Sequence, residues 1–317
     1  MAELQTIFFL GKGGTGKSTA SALLALMLQQ CGRRVLLASF DDAHNQADIY
    51  GQPLDDSPCR MMSGLEVLQL DREKEIQRYL ARTARQVRQS FTYLTAFNLD
   101  HYFDILKFSP GMEEYALVTA FMRLQERCRD YDYLIIDMPP TALSLRFFSL
   151  PALSLTWIEQ LEELRTEIHK RKEIISRIKF AGREFERDKV LTRIRGIKTD
   201  YQALKAIFED EGRACLFAVF NPDPLSMAET GRICDQLDGL DIRLQGLIGN
   251  HRTPAGVPPT MPARLAAIPV QTIPYAPDPL IGIPALKRYI DAHNLTFAGL
   301  LPRESACLPT IPRAEGY

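Results

Sequence analysis

The chain has almost no excess charge: 38 lysines and arginines face 39 aspartates and glutamates, a formal charge of −1. That balance gives no overall electrostatic footprint for nucleic acid, so a nucleic-acid partner is not expected. No apolar run approaches the roughly 18 to 20 residues that span a bilayer, so no stable membrane insertion is expected. The N-terminus, Met1-Ala2-Glu3-Leu4-Gln5, lacks the basic and then apolar segments of a secretory signal. Six cysteines, at 31, 59, 128, 215, 234 and 307, never form a CxxC pair. Their spacing suits neither a zinc site nor a disulfide framework. It suits scattered thiols in a reducing, cytoplasmic setting. There is no internal repeat and no low-complexity tract.

What is present is ordinary globular composition, 46% apolar and 24% charged over 317 residues. Length alone suggests about two domains and a core large enough to need no staples. The order of elements modifies that. Residues 6–10 form a short β-rich run, a glycine-rich loop follows, and 18–30 carry apolar residues at helical spacing. Gly32 ends that helix, and 35–39 is another buried-type strand. This βαβ opening predicts a parallel sheet. Further strands are expected at 65–70, 133–137, 215–220, 243–249 and 269–273, alternating with helical stretches, as in a doubly wound α/β sheet.

Two stretches stand apart. From Arg72 to about Arg129 the pattern is helical, with Arg78, Arg82, Arg85 and Arg88 along one side, read as a solvated face. Between Ile158 and Arg213 there are 12 acidic and 14 basic residues, the mark of long solvated helices. Both are read as a helical subdomain, about 72–130 and 152–214, inserted into one α/β domain spanning 1–300. Nine of the 20 prolines lie between Pro254 and Pro284, a region of loops and turns. Residues 301–317 are expected to be a loose tail.

The glycine-rich loop reads Gly11-Lys12-Gly13-Gly14-Thr15-Gly16-Lys17-Ser18-Thr19 and fits G-x-x-x-x-G-K-[ST]. Glycines let backbone N–H groups converge on phosphate oxygens, and the helix beginning near Lys17 adds its positive end. Lys17 is expected to reach the β- and γ-phosphates and Ser18 to hold Mg²⁺. Lys12 is not needed to cradle phosphates within one subunit. The run GKGGxGKST resembles the deviant phosphate loop of the MinD/ParA/ArsA branch of P-loop NTPases. That resemblance implies that Lys12 crosses a homodimer interface to the partner's nucleotide. A cation supplied in trans can be worth ~10³–10⁵ in rate.

Asp41-Asp42-Ala43-His44-Asn45-Gln46-Ala47-Asp48 is similar to the DPAH(S/N)LSD switch I motif of the ArsA family, the arsenite-pump and tail-anchored-protein-targeting ATPases. By that resemblance Asp41 orients the attacking water. Asp42 departs from the family's proline. Asp137, after the apolar Leu134-Ile135-Ile136, is a Walker B carboxylate in the Mg²⁺ shell. The run from Asp137 to Pro151 resembles the family's DTAPTGHTLRxLxLP switch II, with Ala142 and Leu143 replacing Gly-His. Residues 109–114 resemble its PGxxE segment, and Asn221-Pro222, Ser226, Glu229 and Thr230 its A-loop. Asn250 stands where the family reads adenine, and an amide offers both donor and acceptor for that task.

The resemblance therefore implies ATP and Mg²⁺ as cofactors, bound by Gly11, Gly13, Gly14, Thr15, Gly16, Lys17, Ser18, Thr19, Asn250 and Asp137. Lys12, Lys17 and Asp41 are the catalytic residues. Arsenite-binding members use cysteines near the PGxxE-like region and after switch II, and zinc-bridged members a CxxC after the adenine strand. This chain has neither, so no arsenite site and no zinc site are expected. Met112 and Met122, with Leu106, Phe108, Leu117 and Phe121, are read as ordinary core rather than a client groove. The expected function is a cytoplasmic Mg²⁺-ATPase acting as a nucleotide-gated homodimer that binds or delivers a protein client, in the family a hydrophobic helix, through its helical subdomain. The alternative is a MinD/ParA-like positioning protein. Against it, residues 302–317 supply no amphipathic membrane helix. Its only candidate DNA-binding face is the arginine stripe. A redox role like that of the nitrogenase iron protein needs a cysteine just after Asp137, and none is there.

Overall fold

The computed structural model describes residues 4–43, 45–90, 106–107, 109–179, 189–251 and 261–301. His44, Phe108, residues 252–260 of the stretch where a zinc CxxC would stand, and the segment 302–317 lie outside the described residues. So does the side chain of Arg88.

The strands are short apolar runs, and in the centre of the sheet they are buried on both faces. These are β1 (Gln5–Leu10), β2 (Val35–Ser39), β5 (Tyr133–Asp137) and β6 (Ala214–Phe220), every residue of which is buried. Unbroken burial of this kind requires helices on both faces, which is why these strands do not alternate in polarity. With β3 (Cys59–Met62), β4 (Leu65–Gln69), β7 (Gly246–Asn250) and β8 (Val270–Ile273) they make one eight-stranded sheet in the order β3-β4-β2-β5-β1-β6-β7-β8. All neighbours are parallel except β3 and β4, an antiparallel pair at one edge. The doubly wound α/β expectation is met.

Among the described residues the helices are α1 (Lys17–Gln30), α2 (Asn45–Tyr50), α3 (Arg72–Ser90), α4 (Met112–Arg127), α5 (Thr141–Lys179), α6 (Lys189–Glu209), α7 (Pro224–Asp238), α8 (Ala263–Ala266) and α9 (Ile283–His293). On one face of the sheet Ile7 and Phe9 of β1 meet α1, α9 and the segment ending at Leu301. Leu300 and Leu301 are buried there.

On the other face Phe8 of β1 meets Phe121 of α4 (ring centres 5.4 Å apart), Phe148 of α5 (5.1 Å) and Phe208 of α6 (5.9 Å). Four rings from four elements, each worth about 2–3 kcal/mol on burial, pin these helices onto the sheet. Leu117 and Phe121 are core residues, as expected, and Met122 packs against them. Leu106 is 41% exposed.

Helix α5 is 39 residues long and contains Pro151, which removes one backbone hydrogen bond. Before Pro151 it is anchored by the buried Phe147 and Phe148; beyond it only Ser154 and Ile158 are buried as far as Lys170, while Leu153, Trp157, Leu161 and Leu164 are exposed. By length and composition Thr141–Arg171 is apolar enough to cross a bilayer, which corrects the expectation that no segment comes near that measure. The apolar positions there are interrupted rather than consecutive. In the fold the front of this helix is core.

Helix α6 packs back along α5, where Arg195 and Lys198 meet Glu162 at 2.8 and 3.2 Å. On α3, Arg82 and Arg85 are exposed, but Arg78 is engaged by Asp56 and by Glu75. Glu75 is buried and held again by Arg123 at 2.7 Å. Arg78 is itself exposed, so the three described arginine side chains keep the expected solvated face, with Arg78 paired on it.

Candidate nucleotide site

The carboxyl ends of β1, β2, β5 and β7 converge, and the loops that leave them carry the predicted residues. This is the crevice where open α/β sheets bind ligands. Asp137 is level with Phe9 of β1 on one side and Ser39 of β2 on the other.

The glycine-rich loop turns between β1 and α1. Gly11 has φ +139°, and a Cβ there would lie 2.2 Å from the Val219 carbonyl oxygen. Gly16 has φ +94°, and a Cβ would lie 2.2 Å from Asn250 Nδ2. Only glycine serves at either position. Gly13 and Gly14 are exposed on the loop, and the Thr15 hydroxyl is tied back to the Lys12 carbonyl at 2.9 Å. Thr19, one turn into α1, is half-buried.

Lys17 is buried, and its Nζ donates to the carbonyls of Gly11 (3.2 Å) and Lys12 (3.4 Å). Burial lowers its pKa, against the opposing pull of Asp137 and Asp41. Its ammonium is thus held by two backbone carbonyls, for which an incoming phosphate can exchange. Lys12, by contrast, is exposed. Its charge helps to hold the Glu229 carboxyl below its usual range, after the larger effect of Arg232.

Asp137 is fully buried, and its Oδ1 has no hydrogen-bond partner. Burial pushes its pKa up to about 6, resisted by the Ser18 hydroxyl, the Gln46 amide and the Lys17 charge. A buried carboxylate oxygen without a donor, beside a serine hydroxyl, fits a divalent cation. Among the described residues no three His, Cys, Asp or Glu side chains converge as a protein cage. A carboxylate and a hydroxyl completed by phosphates and water are how Mg²⁺ is normally held.

Asp41 follows β2 and is half-buried, its Oδ1 accepting from the Ala43 N–H at 3.3 Å. Asp42 ion-pairs with Arg72. Ala142 and Leu143 fall in the first turn of α5, where Leu143 is buried in the core. Asn250, at the end of β7, donates from Nδ2 to the Thr15 carbonyl at 2.8 Å. One amide hydrogen is thus spent on the loop, which leaves Oδ1 as the freer group for a base. Beside it opens a cavity of about 470 Å³ lined by Thr19, Asn250, His251, Tyr275, Ile281 and Tyr289. Its far wall, from the loop after β8, carries no motif that sequence reasoning could use. Asn45 and Gln46 were also missed: Asn45 Nδ2 lies 3.4 Å from Ser18 Oγ, and Gln46 is bonded to Asp137.

Residues 4–261 match the family of anion-transporting ATPases, the ArsA ATPases. The chain belongs to that family. It is 29% identical to the putative arsenical pump-driving ATPase 2 of Aquifex aeolicus over 252 residues, 79% of this chain and 81% of that protein. It is 28% identical to the ATPase GET3A of Arabidopsis thaliana over 252 residues, 78% of this chain and 67% of that one. To the ATPase GET3 of Paracoccidioides lutzii it is 28% identical over 254 residues, 78% and 73% of the two chains. This ArsA-family chain is therefore a nucleotide-binding ATPase, and membership favours the ArsA reading over the MinD/ParA alternative.

Proposed function

We propose that this ATPase is a Mg²⁺-dependent, nucleotide-gated homodimer that acts on a protein client. The observation that carries the reading is the contrast between its two loop lysines. Lys17 is buried inside the loop, whereas Lys12, on the same turn, is exposed and free to meet a facing subunit. In this reading Lys17 and the amides of residues 13–19 bind and orient the phosphates, and Asn250 accepts from the base. Asp41 accepts a proton from the attacking water and aligns it in line with the γ-phosphate. Lys12 of the facing subunit places positive charge where negative charge grows in the transition state. Ser18 and Asp137 would hold Mg²⁺, which when bound neutralises the β- and γ-phosphate oxygens.

The client surface is proposed to lie on a helical subdomain of α3 to α6. Support comes from Leu153, Trp157, Leu161 and Leu164, spaced 4, 4 and 3 apart along α5 and all exposed. Residues at that spacing lie on one face, and a soluble monomer rarely exposes such a stripe without a partner. An apolar helix is the client this surface fits, and a cytoplasmic setting is the one in which such a client would be met. Light scattering tests the gating. A non-hydrolysable ATP analogue with Mg²⁺ should give a dimer, and a persistent monomer contradicts the reading. Affinity capture with an ATP-trapped Asp41→Asn variant would identify the client, and failure to retain any protein would count against a client role.

A further inference from the structure

Gln46 stands where the switch I motif resembled by residues 41–48 carries leucine. Its side chain is completely buried. Nε2 lies 3.0 Å from the Ser18 carbonyl, 3.0 Å from Ser21 Oγ and 3.1 Å from Asp137 Oδ2. A carbonyl and a carboxylate accept only, so the atom facing them must be the amide nitrogen and not its oxygen. Ser21 gives its own proton to the Ser18 carbonyl at 2.9 Å, which leaves Ser21 Oγ a lone pair for Gln46. The two amide protons are shared among these three acceptors, and the amide is oriented with Nε2 toward Asp137 while Oε1 has no hydrogen-bond partner.

Packing alone does not call for this amide. A leucine would fill a buried slot without the cost of desolvating a polar group. What the amide adds is a hold on Asp137 Oδ2, while Oδ1 stays without a partner. We propose that Gln46 is a positioning residue: it grips one oxygen of Asp137, so that the other is kept for the metal–nucleotide complex. It also links α2, which continues the loop bearing Asp41, to the metal carboxylate and to the first turn of α1. Metal binding then depends on α2 remaining docked. The inference rests on the Mg²⁺–nucleotide reading above.

The test uses Mn²⁺ as the probe, read by electron paramagnetic resonance on the full chain with ADP. The variants are Gln46→Leu and the unbranched Gln46→Met. Each should weaken Mn²⁺ binding in the ADP complex at least about tenfold, the usual cost of removing a group that orients a metal ligand. Binding of ADP in EDTA should stay within about twofold of wild type, which a merely structural role would not predict. Mn²⁺ binding equal to wild type in both variants overturns the proposal and leaves the site reading standing. Equal loss of ADP binding in EDTA by both variants assigns Gln46 to folding and also overturns it. A wild-type ADP complex that binds no Mn²⁺ removes the site reading and the proposal with it.

Discussion

Arg72 of α3 ion-pairs with Asp42, the residue that replaces the family's proline in switch I. Its other terminal nitrogen lies 3.0 Å from Glu113 in the first turn of α4. The neighbouring Glu114 is buried and paired at 2.9 Å with Arg146 of α5, within the switch II-like run. Two adjacent glutamates on one helix are thus tied to the segments that flank the phosphate site from either side. Arg72, Asp42 and Glu113 are all at least a third exposed, so their pairing is worth no more than about 1 kcal/mol. Its importance would lie in coupling rather than stability.

Arg72→Ala should accordingly change the unfolding free energy by less than about 1 kcal/mol. It should also reduce the nucleotide-dependent change in amide exchange at the start of α4. Asp42→Pro, which restores the family's residue, should have the same effect. Hydrogen exchange with and without an ATP analogue checks this. An unchanged response in both variants would show that α4 does not sense switch I through Arg72.

The buried Asp137 sets a pH dependence whose sign is opposite to that of most carboxylates. Its pKa is about 6 in the fold against 3.8 in an unstructured chain. The folded state therefore binds the extra proton between those values. Without metal or nucleotide, its contribution favours folding below about pH 4 and is lost as pH rises through about 6. Asp137→Asn removes that penalty. In EDTA the variant should be the more stable protein at pH 7.5, by on the order of 1–3 kcal/mol, and the gap should close toward pH 4. Chemical denaturation across that range is the measurement. A gap independent of pH would show that Asp137 does not carry the shift.

Trp157 is the only tryptophan in the chain, is 73% exposed, and sits within the apolar stripe on α5. Its fluorescence should be that of a solvated indole, readily quenched by iodide. A synthetic leucine-rich helix of transmembrane length should shift the emission to the blue and protect it. Replacing Leu153 and Leu161 by serine should leave stability within about 0.5 kcal/mol, as at exposed sites generally, and abolish the shift. Continued quenching at saturating peptide would place the client surface elsewhere.

Much of this architecture is legible in the order of residues, and the reasons for the rest are physical. The phosphate loop, β5 with Asp137, and the central strands announce themselves because parallel strands buried on both faces are continuous apolar runs. Strand β3 escaped because Cys59-Arg60-Met61-Met62 lies half-exposed at an edge and shows no period. The helical start at Thr141 was not read from the sequence: α5 begins there and runs through Pro151, since tertiary packing of Phe147 and Phe148 outweighs one lost hydrogen bond. Gln46 departs from the switch I motif in which it lies, and Arg72 belongs to no chemical motif. Each gains its role only from neighbours brought close by the fold, 91 residues away for Asp137 and 41 for Glu113.

We propose that one subunit's Lys12 serves its partner's nucleotide. Lys12→Ala and Lys17→Ala should each lose nearly all ATP turnover, the first through the missing trans charge and the second through failure to hold phosphate. Mixed, they can form a dimer in which the Lys12→Ala subunit holds ATP and the Lys17→Ala subunit supplies an intact Lys12. With equal amounts, half the dimers are mixed and one of their two sites is complete. Phosphate release should therefore recover to about a quarter of wild type. A mixture no more active than its separate components, while light scattering reports mixed dimers, would contradict the account.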